Sequence, residues 1–211
     1  MSGPAMNKTP LFALCALLFI AACNSGPAQP PLSEAPLAGA SIGGDFLLTD
    51  QNGKKRSFKE FDGAYRIVYF GYTNCPDICT PDMQNLMAGL KAFEKKNPEL
   101  GARVQPIFIT VDPTRDTSAV LKQFVSAFHP RAIGLTGTDA EIAEVAKKFA
   151  IYSSRVEGSS PESSLMSHSQ TPYLMGPKGE PLALMPADVP NTDANEGAPD
   201  LVVAELTKWV R

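Results

Sequence analysis

The chain has 211 residues, 44% of them hydrophobic, with 19 basic and 22 acidic side chains and a formal net charge of −3. That length is enough for one domain with a substantial core. The mild acidity leaves no electrostatic footprint for nucleic acid; Lys54-Lys55-Arg56 is too short for one and reads as a solvated strand edge.

In chain order, Lys8 precedes an apolar run from Leu11 to Ala22. This is shorter than the roughly 20 residues a membrane-spanning helix needs, and it has the length of a signal-peptide core. The run ends Ile20-Ala21-Ala22-Cys23, which resembles a bacterial lipobox. Residues 1–22 are therefore expected to be a lipoprotein signal peptide, with Cys23 lipidated and its acyl chains anchoring the protein. Removing the signal takes one Lys and no acidic residue, so the charge balance barely changes. No second apolar stretch is long enough to span a bilayer. Asn24 to Ala40 is rich in Pro, Ala, Gly and Ser and reads as a flexible tether, so that 23–40 links the anchor to a folded domain at 41–211.

Within the domain, Asp45 to Phe58 carries two short strand-like runs around Asp50-Gln51-Asn52-Gly53, whose Asn-Gly pair is a hairpin-turn signal. Arg66 to Gly71 holds the continuous apolar run Ile67-Val68-Tyr69-Phe70 expected of a strand buried on both faces. A loop with Cys75 and Cys79 follows, then a helix predicted to begin near Pro81 with Thr80 as N-cap. Met83, Leu86, Met87, Leu90 and Phe93 recur on one face of that helix. Val104 to Val111 is a second buried run, with Pro106 an objection to a regular ladder near its start. Helices are predicted at Ser118–Phe128, burying Val120, Leu121, Phe124, Val125 and Phe128, and at Asp139–Phe149, burying Ile142, Val145, Ala146 and Phe149. The short strand Ile133–Thr136 separates them. Tyr173–Met175 and Leu182–Met185 read as a closing hairpin, and Asp200–Val210 as the last helix. Strands alternating with helices predict an α/β sheet.

The cysteine count narrows the chemistry. Cys15 leaves with the signal and Cys23 takes lipid, so Cys75 and Cys79 are the remaining thiols, and any intramolecular disulfide of an exported chain joins these two. At the positive end of a helix dipole both are expected to favour the thiolate. Thiolates attack disulfides, and thiolates bind soft metals. An idle structural disulfide is the third possibility, although closing so small a loop removes little chain entropy.

Four segments carry a family resemblance: Tyr69 to Cys79, Thr110 to Thr117, Ile133 to Thr138 and His168 to Gly179. In this order they resemble the SCO/SenC family, the copper proteins of cytochrome c oxidase assembly. The resemblance implies a thioredoxin-like α/β fold, with a central mixed sheet flanked by helices and an N-terminal β-hairpin. It also implies that Cys75, Cys79 and His168 bind one copper ion per chain, as Cu(I) or Cu(II). Ligand chemistry agrees, since two soft thiolates select Cu(I), an added imidazole tolerates Cu(II), and zinc prefers four ligands. His168 falls in a polar loop on this reading. Family members often place Asp before that His, where this chain has Ser167; if such an Asp orients the imidazole, Cu(II) binding here is altered.

Other residues keep two readings. Asp112, in the segment with Arg115 and Asp116, is either a group behind the ligands or a weak axial ligand, or else a loop ion pair with Arg115. His129 reads as structural, a partly cationic side chain meeting a helix C-terminus. Asp77 shapes a turn, and Thr171–Pro172 is a candidate cis bond by analogy with thioredoxin-like proteins.

The implied function is a membrane-tethered copper metallochaperone, its domain facing the periplasm or cell exterior. Its expected partners are an upstream copper donor chaperone and the dinuclear copper site of cytochrome c oxidase subunit II. The alternative is a thiol–disulfide oxidoreductase that reduces the cysteines of that apo-site, with Cys75 attacking and Cys79 resolving. A peroxide-reducing enzyme is disfavoured, because the Cys loop does not look like a lone peroxidatic cysteine.

Overall fold

A computed structural model describes residues 29–156, 164–189 and 195–211, together with 1, 3 and 158. Apart from residues 1 and 3, the expected signal peptide lies outside the described residues, as does Cys23. Strand β1 (Leu47–Asp50) and β2 (Lys55–Ser57) form the expected N-terminal hairpin, its turn held by Asp50, whose Oδ1 accepts from the Asn52 and Lys54 N–H groups. Then follow β3 (Tyr65–Gly71), α1 (Cys79–Lys96), a short α2 (Pro98–Ala102), β4 (Val104–Thr110), α3 (Ser118–Phe128), β5 (Ile133–Thr136) and α4 (Asp139–Lys148). A second hairpin, β6 (Ser153–Val156) and β7 (Leu165–His168), precedes β8 (Tyr173–Met175), β9 (Pro181–Leu184) and α5 (Pro199–Trp209).

Among the described residues, seven strands form one mixed sheet in the order β2-β1-β5-β4-β3-β8-β9. Strands β3, β4 and β5 run parallel, while β1 and β8 flank them antiparallel. Every residue of β3 is buried, as its apolar run predicts for a strand covered on both faces. The alternation of its side chains sends Tyr69 toward Phe108, which in turn packs on Phe124 of α3, and sends Phe70 toward Phe149 at the end of α4. Helix α1 buries Met83, Leu86, Met87, Leu90 and Phe93, and packs on α5 where Gly89 leaves room for Val202. Pro106 is accommodated inside the β3–β4 ladder opposite Ile67.

The structure corrects several expectations. Helix α1 begins at Cys79, not near Pro81, and Thr80 is not its cap; the position before the helix is Ile78, with no side-chain cap. Its first bond runs from the Asp82 N–H to the Ile78 carbonyl, so Pro81 sits within the first turn, where N–H groups have no helical partner anyway. Val120 is solvent-exposed rather than core. The Thr171–Pro172 bond is trans. The stretch read as a tether is described from Gln29 on, and there it rests on the domain. Leu37 N–H donates to Leu182 O at 2.9 Å, Ala35 is buried, and Leu32 and Leu37 pack against the core. Proline-rich composition signalled flexibility, but its leucines supplied enough apolar surface to seat the segment.

Candidate metal centre

The site forms where β3 ends. Gly71 is its last residue, and a Cβ there would lie 3.1 Å from each of Cys79 Sγ, Phe108 and Tyr69. The bare backbone therefore lets the first residue of α1 close over the strand end. Cys79 is fully buried at that position and Cys75 sits half-exposed on the preceding loop. The loop is pinned at its root by Asp116, which accepts from Thr73 N–H (3.0 Å), Thr73 Oγ1 (2.6 Å) and Thr110 Oγ1 (2.6 Å). Both thiols are free.

His168 arrives from a different element. It is the last residue of β7, opposite Ser153 of β6, rather than part of the polar loop expected from sequence. Beyond it the chain is tied to the residue before β6, with Ser169 N–H donating to Tyr152 O at 2.9 Å and Tyr152 N–H to Ser169 Oγ at 3.1 Å. Nδ1 lies 2.9 Å from Ser169 O, so the proton belongs on Nδ1, and Nε2 presents its lone pair. Nε2 is 3.5 Å from Cys79 Sγ. The Sγ atoms of Cys75 and Cys79 and a ring nitrogen of His168 all lie within 4.8 Å of one another. Among the described residues this is the one group of three or more Cys, His, Asp or Glu close enough to hold a metal ion. Tyr72 stands edge-on to His168, ring centres 5.8 Å apart. A groove of about 560 Å³ opens beside the cluster, lined by Cys75, Pro76, Ile78, Pro81, Val156, Leu165, Met166 and His168 among others.

The thiols are not equivalent. Cys75 is pulled down to about 3, first by the Cys79 thiol that bonds to it and then by His168 and the backbone N–H groups of Cys79 and Asp77, against the opposing effect of burial. Cys79 is pushed up, first by the neighbouring Cys75 and then by burial. The sequence expectation of two thiolates at a helix start therefore holds for one. The charge favoured on Cys75 disfavours one on Cys79. Burial also raises the Tyr72 phenol to about 12, keeping it neutral beside the thiols.

The remaining sequence candidates lie apart from the cluster. Asp112 is fully buried but outside the group of three, and its carboxylate is held by Arg115 and by Arg155. Asp77 is exposed in the Cys loop. His129 follows α3 as its C-cap and meets Glu94, yet burial lowers its pKa, so the cationic character expected of it is suppressed. Sequence reasoning passed over the shaping roles of Gly71, Tyr72 and Asp116. A glycine closing an otherwise large-residue strand was the available signal for the first. It also passed over Arg155 and the β6–β7 hairpin, whose polar Ser153-Ser154-Arg155 start carries almost no strand pattern.

Comparison with known proteins agrees with the geometry. The family model described as SCO1/SenC matches residues 34–201. The chain is 42% identical over 141 residues to the Saccharomyces cerevisiae mitochondrial protein SCO1, covering 66% of this chain and about half (47%) of that relative's length. It superposes on Bradyrhizobium japonicum ScoI, solved with copper bound, with a TM-score of 0.68 and 35% identity, covering 80% of this chain and 99% of that one. It also superposes on BsSco, a Sco family cytochrome c oxidase assembly protein solved in a study of its disulfide switch, with a TM-score of 0.56 and 28% identity, covering 78% and 90%. With its mixed sheet and its Cys–Cys–His cluster in place, the chain belongs to the SCO1/SenC family.

Proposed function

We propose that this protein is a copper metallochaperone of cytochrome c oxidase assembly, tethered to the membrane through a lipid on Cys23, which receives copper from an upstream donor and passes it to the dinuclear copper site of oxidase subunit II. The observation that carries this reading is the convergence of two thiol sulfurs and one correctly tautomeric imidazole at the rim of an open groove. A purely thiol-redox site has no need for the third group. Two soft sulfurs and one nitrogen suit copper, whereas zinc would seek a fourth ligand. Cys75 enters as a ready thiolate, Cys79 yields its proton as the ion binds, and His168 Nε2 completes three-coordination. Cys75 is half-exposed beside the groove, so an acceptor's thiol or imidazole can join the ion before one of the three leaves. Among the described residues, no helix is long and apolar enough to cross a membrane.

The test is an anaerobic Cu(I) competition titration of the reduced full chain beside His168→Ala. Tight one-to-one binding that weakens on loss of His168 is the expected result; binding indifferent to His168 overturns the reading.

One observation favours a second reading, a thiol–disulfide oxidoreductase acting on the same client. Cys75, whose pKa is lowered, is the more exposed thiol, while Cys79, whose pKa is raised, is buried. That is the division of labour an attacking and a resolving cysteine require. Cys75 would displace one sulfur of a client disulfide, Cys79 would displace the other, and the client would leave reduced with a Cys75–Cys79 disulfide behind.

A further inference from the structure

The two halves of the cluster are anchored unequally. Cys75 and Cys79 grow from the central sheet, but His168 hangs on a two-stranded sheet, β6–β7, that shares no ladder with the central one among the described residues. An isolated hairpin is marginally stable in water, so something must hold it over the thiols. Asp112 lies at the convergence of the ties that do so. It follows the carboxyl end of β4, it is fully buried, and its own backbone is fixed: its N–H donates to Thr110 Oγ1 at 2.9 Å and its carbonyl accepts from Asp116 N–H at 2.9 Å.

Two arginines leave this carboxylate toward His168. Arg155 donates from one Nη to Asp112 Oδ1 at 3.0 Å and from the other to Ser164 Oγ at 2.8 Å. Arg155 is in β6, cross-strand from Met166, and Ser164 is the residue before β7 begins. One guanidinium thus ties both strands of the hairpin to the end of β4. The second arm is Arg115, bound through Nε to Asp112 Oδ2, with its guanidinium carbon 5.8 Å over the Tyr72 ring. That ring in turn stands edge-on to His168 at 83°.

We propose that Asp112 is a positioning residue for His168, acting through Arg155 on the hairpin that carries the imidazole and through Arg115 on the Tyr72 ring that abuts it. It is neither an axial ligand nor a simple loop ion pair. The carboxylate gathers the two arginines, and the arginines set where Nε2 points. This inference rests on the reading of the Cys75–Cys79–His168 cluster as a copper site, and its test separates the two.

The purified full chain is compared with Asp112→Asn, Arg155→Ala and Arg155→Lys, each alone and combined with His168→Ala. Copper affinity, the Cu(II) electron paramagnetic resonance spectrum and, in metal-free protein, hydrogen exchange at the β6–β7 amides are measured. Asp112→Asn and Arg155→Ala are each expected to weaken copper by about 10- to 100-fold, the usual cost of losing an outer partner of a ligand. Their spectra should move toward that of His168→Ala, and their hairpin amides should exchange faster. Arg155→Lys keeps the charge and should recover part of the loss. In the His168→Ala background neither change should cost anything further. Equal losses with and without His168, or an Arg155→Ala protein with unchanged affinity and spectrum, overturn the clamp. Arg155 is 39% exposed, so its variants carry the test if Asp112→Asn does not fold. If wild-type binding is itself indifferent to His168, the copper reading fails instead. Hydrogen exchange then decides the clamp alone, with faster exchange in Arg155→Ala sustaining it and unchanged exchange overturning it.

Discussion

The end of β3 and the β6–β7 hairpin contribute to the same cluster under opposite structural regimes. At the β3 end, Gly71, Cys79 and Thr73 are embedded among Tyr69, Phe108, Thr110 and Asp116, all buried, and the backbone continues into a seven-stranded sheet and an 18-residue helix. At the hairpin, Val156 and Leu165 stand 49% and 42% exposed, and pairing is confined to four residue pairs. The thiols are preorganised by the core. The imidazole is delivered by an arm that side-chain ties hold in place. On the proposed carrier function this asymmetry is useful: the sulfurs would retain the ion, and the arm would be the ligand most easily exchanged with a partner.

If that contrast is right, removing a thiol should hurt most. Cys79→Ser should reduce Cu(I) affinity by more than the ~100-fold that outer partners command, and by more than His168→Ala does. A competition titration in which the two variants lose equally would erase the distinction between the core-held thiols and the arm-held imidazole.

Next in size is the anchor of the Cys loop. Asp116→Ala strands three donors, two on partly buried Thr73 and one on buried Thr110. It should cost about 3 kcal/mol or more of stability, read as a lower urea midpoint with an unchanged slope. A loss below ~1 kcal/mol would show that the loop does not depend on this tie.

Gly71→Ala tests the closeness of strand and helix. Its new Cβ would sit 3.1 Å from Cys79 Sγ and from two aromatic rings, an overpacking worth about 1–3 kcal/mol. Copper affinity should fall alongside stability, because the displaced atom belongs to the proposed copper site. Lost stability with intact affinity would mean that the rings move instead of the sulfur.

The smallest effect lies far from both regions. Burial lowers the pKa of His129 in the folded state below its ordinary value near 6.5. Its contribution to stability is therefore complete above about pH 6.5 and is lost as pH falls through the folded value. Wild-type stability should decline on acidification by at most about 1.4 kcal/mol per pH unit from this group, and His129→Asn should flatten that slope. Identical slopes would mean that His129 titrates alike in folded and unfolded chains.

What the sequence determined by itself was the regular frame and the three side chains that the fold brings together in one cluster. Residues 67–70, 104–111 and 133–136 read as strands because buried parallel strands need uninterrupted apolar runs. Residues 118–128 and 139–149 read as helices because one face repeats at helical spacing; the second ends at Lys148 in the structure. Cys75 and Cys79 stood out by elimination, and His168 through the family resemblance. Tertiary structure alone decided the rest. The β6–β7 hairpin was invisible because its strands are only four residues long and neither carries a clear alternating apolar pattern. The unequal acidities of the thiols depend on burial and on a shared proton, which spacing does not encode. Asp112 was legible as interesting, but whether it met a metal or an arginine depended on where β6 brought Arg155, 43 residues along the chain. Local pattern reports what a segment prefers; which side chains meet across loops is set only when the core closes.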